Sequence, residues 1–372
     1  MKIICEHNKC TGCESCVSVC PKQCIHMEEN QEGFLYPVIN EADCIDCGLC
    51  KKSCKAEEKA DKFFEKQAYA MKNQNEEVRL NSSSGGVFTL LSEYIINNGG
   101  TVFGAAFTDN YEVEHIRITE MEDIEKLRTS KYVQSRIGAC YQQAKKDLED
   151  NRLVLFTGTP CQIAGLKGYL KKEYDNLYCQ DIMCHGVPSP KLWRKYIREL
   201  QVGEIKSVSF RDKTVSWSQF SMKITGTKGS ICERFYENTY LKAFLADIAL
   251  RESCSNCNFK ELNYYGDVTL ADFWGLNQVY PELDDSTGVS LVLVNSEKGQ
   301  TLIEQISQKM KGDKVDLQKA LQGNRPAITV TPPHKNRERF FADIDRKTVE
   351  QLVKVYVQGN IVKRVIRKLF HK

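Results

Sequence analysis

From Gly86 onward, apolar positions along the chain recur in two alternating rhythms. "GVFTLLSEYIINNGG" places apolar residues at helical intervals and stops on paired glycines, which predicts an amphipathic helix with a glycine terminus. "TVFGAAF" and "RLVLF" are apolar runs of strand length, and the second leads into the helical stretch "PCQIAGLKGYLKK". "NLYCQDIM" again predicts a strand and "SPKLWRKYIREL" a helix, with Ser189 as its N-cap and Pro190 as its first residue. This alternation predicts an α/β core with helices on both faces of a mixed sheet. From about Ser207 the strands shorten ("SVSF", "FSMKI"), and the second half reads as α+β. "KAEEKADKFFEKQ", Lys55 to Gln67, is charged, lacks an apolar stripe and reads as a linker. Three units follow: residues 1–62, 68–310 and 311–372.

Composition narrows the class. With 41% hydrophobic and 27% charged residues in 372, the chain can bury a sizeable core. No run reaches the roughly 18 consecutive apolar residues of a membrane span, and "MKIICEHNKC" lacks the apolar segment of a signal peptide. A soluble, cytoplasmic protein is expected. The net charge of +3 names no partner, and no basic, aromatic-interleaved stripe suits nucleic acid. The charge is concentrated in the tail "IVKRVIRKLFHK". There Val362, Ile366, Leu369 and Phe370 share one helical face, which suits either packing on the chain's own domain or weak docking to an acidic membrane surface or partner.

Seventeen cysteines without an export signal point to metal or cluster ligation rather than disulfides. Two runs, "CTGCESCVSVCP" and "CIDCGLCKKSC", share the spacing C-x2-C-x2-C-x3-C of bacterial two-cluster ferredoxins, in which the fourth cysteine of each run ligates the other cluster. One [4Fe–4S] cluster is then expected on Cys10, Cys13, Cys16 and Cys54, and the other on Cys44, Cys47, Cys50 and Cys20. Gly12 and Gly48 let the backbone approach the sulfides, and Pro21 turns the chain away. Strand-like "GFLYPVIN" between the runs makes this an α+β module. Lys55 stands where the second run would usually carry proline. Cys5 and Cys24 read as packing residues. A pair of zinc knuckles is the competing reading, disfavoured by the absence of histidine within the runs.

The core carries further chemistry. "NSSSGGV" opens a helix with small residues, and its free N–H groups suit either a plain cap or an anion site. Cys161 begins the helix after "LFTGTP", where the dipole favours a thiolate, and Cys184 follows the next strand. Cys254 and Cys257 form "CSNC". As a set these four suit a third cluster or a structural zinc site. Cys140, Cys179 and Cys232 read as core.

"SSSGGVFTLL", "LRTSKYVQS", "LFTGTPCQIAGLKGYL", "CHGVPSPKLWRKYI", "FRDK", "RESCSNCNFK", "GDVTLADFWG" and "GVSLVLVN" occur in this order. Together they resemble the family of coenzyme F420 hydrogenase/dehydrogenase beta subunits, from about Glu77 to Gly299, with a fused ferredoxin module. The resemblance implies an FAD-binding iron–sulfur oxidoreductase, and so a flavin domain behind the ferredoxin module. It implies that Ser82, Ser83, Ser84, Gly85 and Gly86 hold FAD phosphates, and that Cys161, Cys184, Cys254 and Cys257 hold a third [4Fe–4S] cluster. The sequence departs from the family at Val215-Ser216-Trp217, where a glycine is expected before the tryptophan.

Such parts would pass electrons between a redox partner protein or ferredoxin and a small molecule, coenzyme F420 or NAD(P)H. Lys131 is the candidate for steadying a reduced flavin or anionic substrate, and His185 and Asp272 for proton handling. The bland alternatives are a helix end, a turn residue and a strand cap. Two other functions fit the same parts: a non-catalytic electron relay within a larger redox complex, and a reductase in bacterial polysaccharide synthesis.

Overall fold

The computed structural model describes residues 3–58, 65–325 and 328–358. The tail face of Val362, Ile366, Leu369 and Phe370 lies outside the described residues. In chain order the strands are β1 (Ile25–Glu29), β2 (Leu35–Ile39), β3 (Gln67–Asn73), β4 (Thr101–Phe107), β5 (Val113–Ile118), β6 (Val154–Gly158) and β7 (Leu177–Ile182). They continue with β8 (Ile205–Asp212), β9 (Ser221–Gly226), β10 (Gly229–Arg234), β11 (Val268–Asp272), β12 (Ser290–Val294) and β13 (Met310–Val315). Among the described residues no helix is long and apolar enough to cross a membrane.

Eight strands form one sheet in the order β13-β3-β12-β11-β7-β6-β4-β5. Its centre is parallel, β11 with β7, β7 with β6 and β6 with β4, and both flanks are antiparallel. The expected mixed sheet is therefore present. Its parallel strands are apolar on both sides because helices cover both faces. Leu90, Leu91 and Ile95 of the helix Val87–Asn97 pack with Leu302 and Ile303 on one face. Tyr141, Ala144, Ile163 and Leu166 cover the other. Each such fully buried leucine or isoleucine contributes roughly 1.5–3 kcal/mol. The shorter strands of the second half form a separate antiparallel sheet, β10-β9-β8.

Two readings change. β13 pairs with β3 from Met310↔Asn73 to Val315↔Ala68, so the sheet of the core runs past the boundary expected at residue 310. The pairing is tertiary, and "MKGDKV" carries too little apolar character to announce it. Cys232 lies on the exposed edge strand β10 rather than in the core, whereas Cys140 and Cys179 are buried.

The N-terminal module is latched to the core by its β1–β2 hairpin. Arg337 forms a forked ion pair with Glu32, and Arg194 Nη2 donates to both carboxylate oxygens of Glu29. Ser189, besides capping its own helix through Leu192 N–H, donates its hydroxyl to the Glu32 carbonyl. Forked arginine–carboxylate pairs fix orientation as well as distance.

Candidate functional site

The two cysteine runs share a backbone. Gly12 and Glu14 in the first, and Asp46 and Gly48 in the second, all adopt left-handed conformations, φ 67°, 60°, 58° and 71°. Each run then enters a short helix, Ser15–Ser18 or Leu49–Ser53. The turns aim N–H groups at sulfur: Gly12 at Cys10, Ser15 at Cys13, Val17 at Cys16 and Ala56 at Cys54. Those four cysteines line one small pocket, the set expected for the first cluster. Cys20, Cys44 and Cys50 gather on the other side of Cys16 and Ile25. Cys47 is exposed.

Cys5 and Cys24 do more than fill space. Cys5 interacts with Cys10 and Cys54, and Cys24 Sγ lies 3.4 Å from Cys20 Sγ, so each set carries one additional thiol at its edge.

The first run faces the core. Glu14, 6% exposed, accepts hydrogen bonds from Ile137 N (2.9 Å) and Gly138 N (3.1 Å). Cys13 packs on the helix Pro160–Leu170, where a Cβ on Gly165 would meet Cys13 Sγ at 2.9 Å and Tyr141 Oη at 2.8 Å. One turn on, a Cβ on Gly168 would strike the Ser53 carbonyl. The spacing "GLKG" cuts the notch into which the module fits.

Beneath that notch Cys161 occupies the first turn of the same helix, which is capped by reciprocal Thr159 and Gln162 bonds. Burial pushes its thiol well above the ordinary range, reinforced by Cys184, Cys257 and Cys13 nearby. Desolvation thus outweighs the helix dipole, reversing the thiolate expected for the free chain. Burial likewise pushes Cys184 to about 12 and Cys254 to about 11, and raises Cys257. Four mutually raised thiols ionise together only if positive charge is supplied among them. Val187 N donates to Cys254 Sγ at 3.4 Å, and the buried Lys260 ammonium donates to Cys184 O at 2.5 Å. Among the described residues no three cysteine, histidine or acidic side chains converge on a single-ion point.

Cys184 also lines a cavity of about 590 Å³ at the carboxyl edge of the parallel strands. That is the size range of cofactor sites, and the usual edge for them in α/β sheets. Lys131, His185 and Asp272 all line it, so the structure brings the three candidates together. Lys131 Nζ donates to the carbonyls of Leu127, Arg128 and Thr129 at 3.0–3.3 Å, and burial lowers its pKa to about 7. His185 Nε2 donates to Asp247 Oδ1 at 2.6 Å, and Asp272 pairs with Arg211 Nη2 at 2.9 Å. His185 and Asp272 therefore both have partners.

Ser82, Ser83, Ser84 and Gly86 line the cavity as expected. Gly85 does not: it packs on the sheet, where a Cβ would meet the Met71 carbonyl and Ser290 N. Two of the serine hydroxyls shape the turn, Ser82 donating to Val78 O and Ser84 to Val289 O, while Ser83 Oγ accepts from Ser130 N. The helix that follows has no side-chain cap at Gly86, leaving its first N–H groups and dipole toward the cavity.

Several cavity residues have no individual signal in the sequence. Arg211, 3% exposed on β8, lies 3.9 Å from the Phe220 ring and 5.3 Å from that of Trp274. Its Nε and the Nε of Arg128 are buried without a hydrogen-bond partner. Trp217, of the departing Val215-Ser216-Trp217 stretch, stacks on Trp274 at 4.6 Å and so backs the same wall.

Known proteins resemble both halves of this chain in sequence. Residues 151–319 match the family described as the C terminus of coenzyme F420 hydrogenase/dehydrogenase beta subunits, and residues 9–57 match the 4Fe-4S dicluster domain. One relative is the F(420)H(2) dehydrogenase F subunit, from Methanosarcina mazei. It is 23% identical over 279 residues, 68% of this chain and 72% of that protein. Ferredoxin-1 of Caulobacter vibrioides is 47% identical over 47 residues, 12% of this chain and 37% of its own length. A chain in a structure of the F420-reducing [NiFe] hydrogenase complex from Methanosarcina barkeri is 16% identical, with a TM-score of 0.47 over 71% of this chain and 92% of that one.

Proposed function

We propose that the chain is an FAD-dependent oxidoreductase acting on a small anionic redox substrate, because residues 151–319 match the C-terminal domain of coenzyme F420 hydrogenase/dehydrogenase beta subunits and residues 9–57 the 4Fe-4S dicluster domain. The deazaflavin coenzyme named in the family description is the first candidate, and NAD(P)H the second. The observation that carries the reading is the serial order of the cysteines. An outer set with exposed Cys47 adjoins an inner set, whose Cys13 lies near Cys161 of a third, half-buried set, whose Cys184 lines the cavity.

The cavity suits FAD by its charge. Arg128, Lys131 and Arg211 line it against Asp272, two buried guanidinium nitrogens lack partners, and a helix N-terminus is uncapped. We read the Ser82–Ser84 and Gly86 backbone as the phosphate cradle and Cys161, Cys184, Cys254 and Cys257 as ligands of a third [4Fe–4S] cluster. When bound, flavin and clusters supply the interchange between hydride and single-electron chemistry. The chain's residues do the rest. Lys131 offers a positive charge that can hold an anionic ring or substrate oxygen. Arg211, braced by Asp272 and aromatic rings, orients an anionic group without moving. His185, held by Asp247, presents the one imidazole on the Cys184 side of the cavity and can hold a proton there.

Anaerobic purification with flavin identification, then stopped-flow mixing with reduced F420, NADPH and reduced ferredoxin, tests this reading. FAD bound near one per chain and reduced within the dead time to seconds by one small donor is expected. Protein without flavin, or reduced only through a partner protein, defeats the enzyme reading and leaves the relay.

A further inference from the structure

Arg251 sits three residues before Cys254 and is 1% exposed. Its side chain is committed to the N-terminal module, more than 200 residues away in sequence. Nε donates to Cys10 O at 2.7 Å, Nη2 donates to Leu35 O at 3.0 Å and lies 3.7 Å from Cys10 Sγ, and Nη1 donates to Gln134 Oε1 at 3.2 Å. The Tyr36 ring lies 4.2 Å from the guanidinium carbon and the Phe34 ring 5.5 Å. Gln134 returns the contact by donating to Thr11 O at 3.2 Å, so the Cys10–Gly12 turn is gripped from both sides.

The backbone of Arg251 belongs to the third cysteine set. Arg251 N donates to Val187 O, Cys254 N donates to Arg251 O, both at 2.9 Å, and Val187 N donates to Cys254 Sγ. One residue therefore ties the loop of Cys10 to the loop of Cys254. Among the described residues no carboxylate lies within ion-pair distance of it. A guanidinium buried among rings and carbonyls is costly unless an anion faces it, and the group it faces is the Cys10 sulfur. A cubane with four thiolates is anionic and gains one further negative charge on accepting an electron.

We propose that Arg251 is a positioning residue for electron transfer: it raises the reduction potential of the cluster on Cys10, Cys13, Cys16 and Cys54, and it fixes that cluster's loop against the Cys254 loop. The inference rests on the reading of those four cysteines as a cluster site. The step it serves moves one electron, from a one-electron donor onto the cluster, with no bond made or broken. The added negative charge is met by the guanidinium already in place, so no proton need follow.

The test is an anaerobic, EPR-monitored redox titration of the full-length, cluster-loaded protein with dithionite. Arg251→Met should lower the potential of one N-terminal cluster, cutting its ratio of reduced to oxidised form at fixed potential by about tenfold, equivalent to ~59 mV for one electron. The signal assigned to the Cys44 set should not move. Arg251→Lys keeps the charge but cannot hold Cys10 O, Leu35 O and the sulfur together, and should fall between the two. If Arg251→Met loses iron, Arg251→Lys decides alone. Potentials equal to the unsubstituted protein in a variant with full iron and sulfide overturn the proposal. Absence of iron and sulfide from the unsubstituted module would instead overturn the cluster reading beneath it.

Discussion

The two cysteine runs have one spacing and one backbone, yet opposite surroundings. Around Cys44 to Cys50 the turn is open: Ile45 and Cys47 are exposed, and a Cβ on Gly48 would meet nothing within 4 Å. Around Cys10 to Cys16 every side is occupied, by Glu14 on Ile137 and Gly138, by Arg251 on Cys10, and by Gly165 against Cys13. A duplicated motif has been divided into an outward end that can meet a partner and an inward end built into a wall. Ligand spacing sets what is bound, and the surroundings set what it is bound for.

The most damaging break removes what the inward run faces. Full-length protein is expected to carry about twelve iron atoms per chain, and Cys161→Ser about eight, with flavin kept but its reduction through the N-terminal module slowed. Iron and sulfide analysis beside stopped-flow absorbance checks this, and full iron with an unchanged rate would make Cys161 a packing residue.

A smaller effect separates the runs by stability. Glu14→Ala leaves two N–H groups without their acceptor in a buried setting and is expected to cost about 2–4 kcal/mol. Ile45→Ala, at an exposed side chain of the outward run, should change stability by no more than about 0.5 kcal/mol. Urea unfolding of both variants under argon measures the pair; equal losses would mean that the inward run is not clamped as described.

The smallest effect is one of pH, at the far end of the inward path. Lys131 loses its proton as pH rises through about 7. Affinity for an anionic ligand should then fall above that pH, by at most about tenfold per unit. His115, pushed down to about 4 by burial, stays neutral throughout. The ligand-free protein should behave oppositely. An unfolded lysine holds its proton to about 10.5, so stability rises with pH from about 7 towards that value. Flavin titrations from pH 6 to 9 on the native chain and Lys131→Met check the first slope, and a pH-independent affinity in the native chain would remove the lysine from the site.

Legibility followed the physics of each signal. The eight module cysteines can be read because cluster ligation imposes a local spacing, and the helix at Ser189 because caps and prolines are local. The α/β alternation survives for the same reason. What cannot be read depends on parts of the chain that meet only after folding. Glu14 looks like any exposed acid between cysteines, and Arg251 like a charge beside "CSNC". Arg211 stands in "FRDK", a stretch with no chemical motif of its own. Gly85 sits in a glycine-rich turn that points to a ligand, whereas the sheet behind it is what excludes a side chain. The thiol of Cys161 is governed by burial, a property no window of sequence contains.

The hairpin latch has a kinetic consequence. With Glu32 and Glu29 held by Arg337 and Arg194, the inner cysteine set is seated against the core. On the proposed reading, handover between them would be a first-order event, indifferent to protein concentration, with no diffusional encounter to steer. Delivery at exposed Cys47, on the same reading, would be the reverse case, a collision between separate molecules that ionic strength can hasten or hinder. Dilution should therefore slow the supply of electrons, and a change of salt should alter it, while both leave their internal passage untouched.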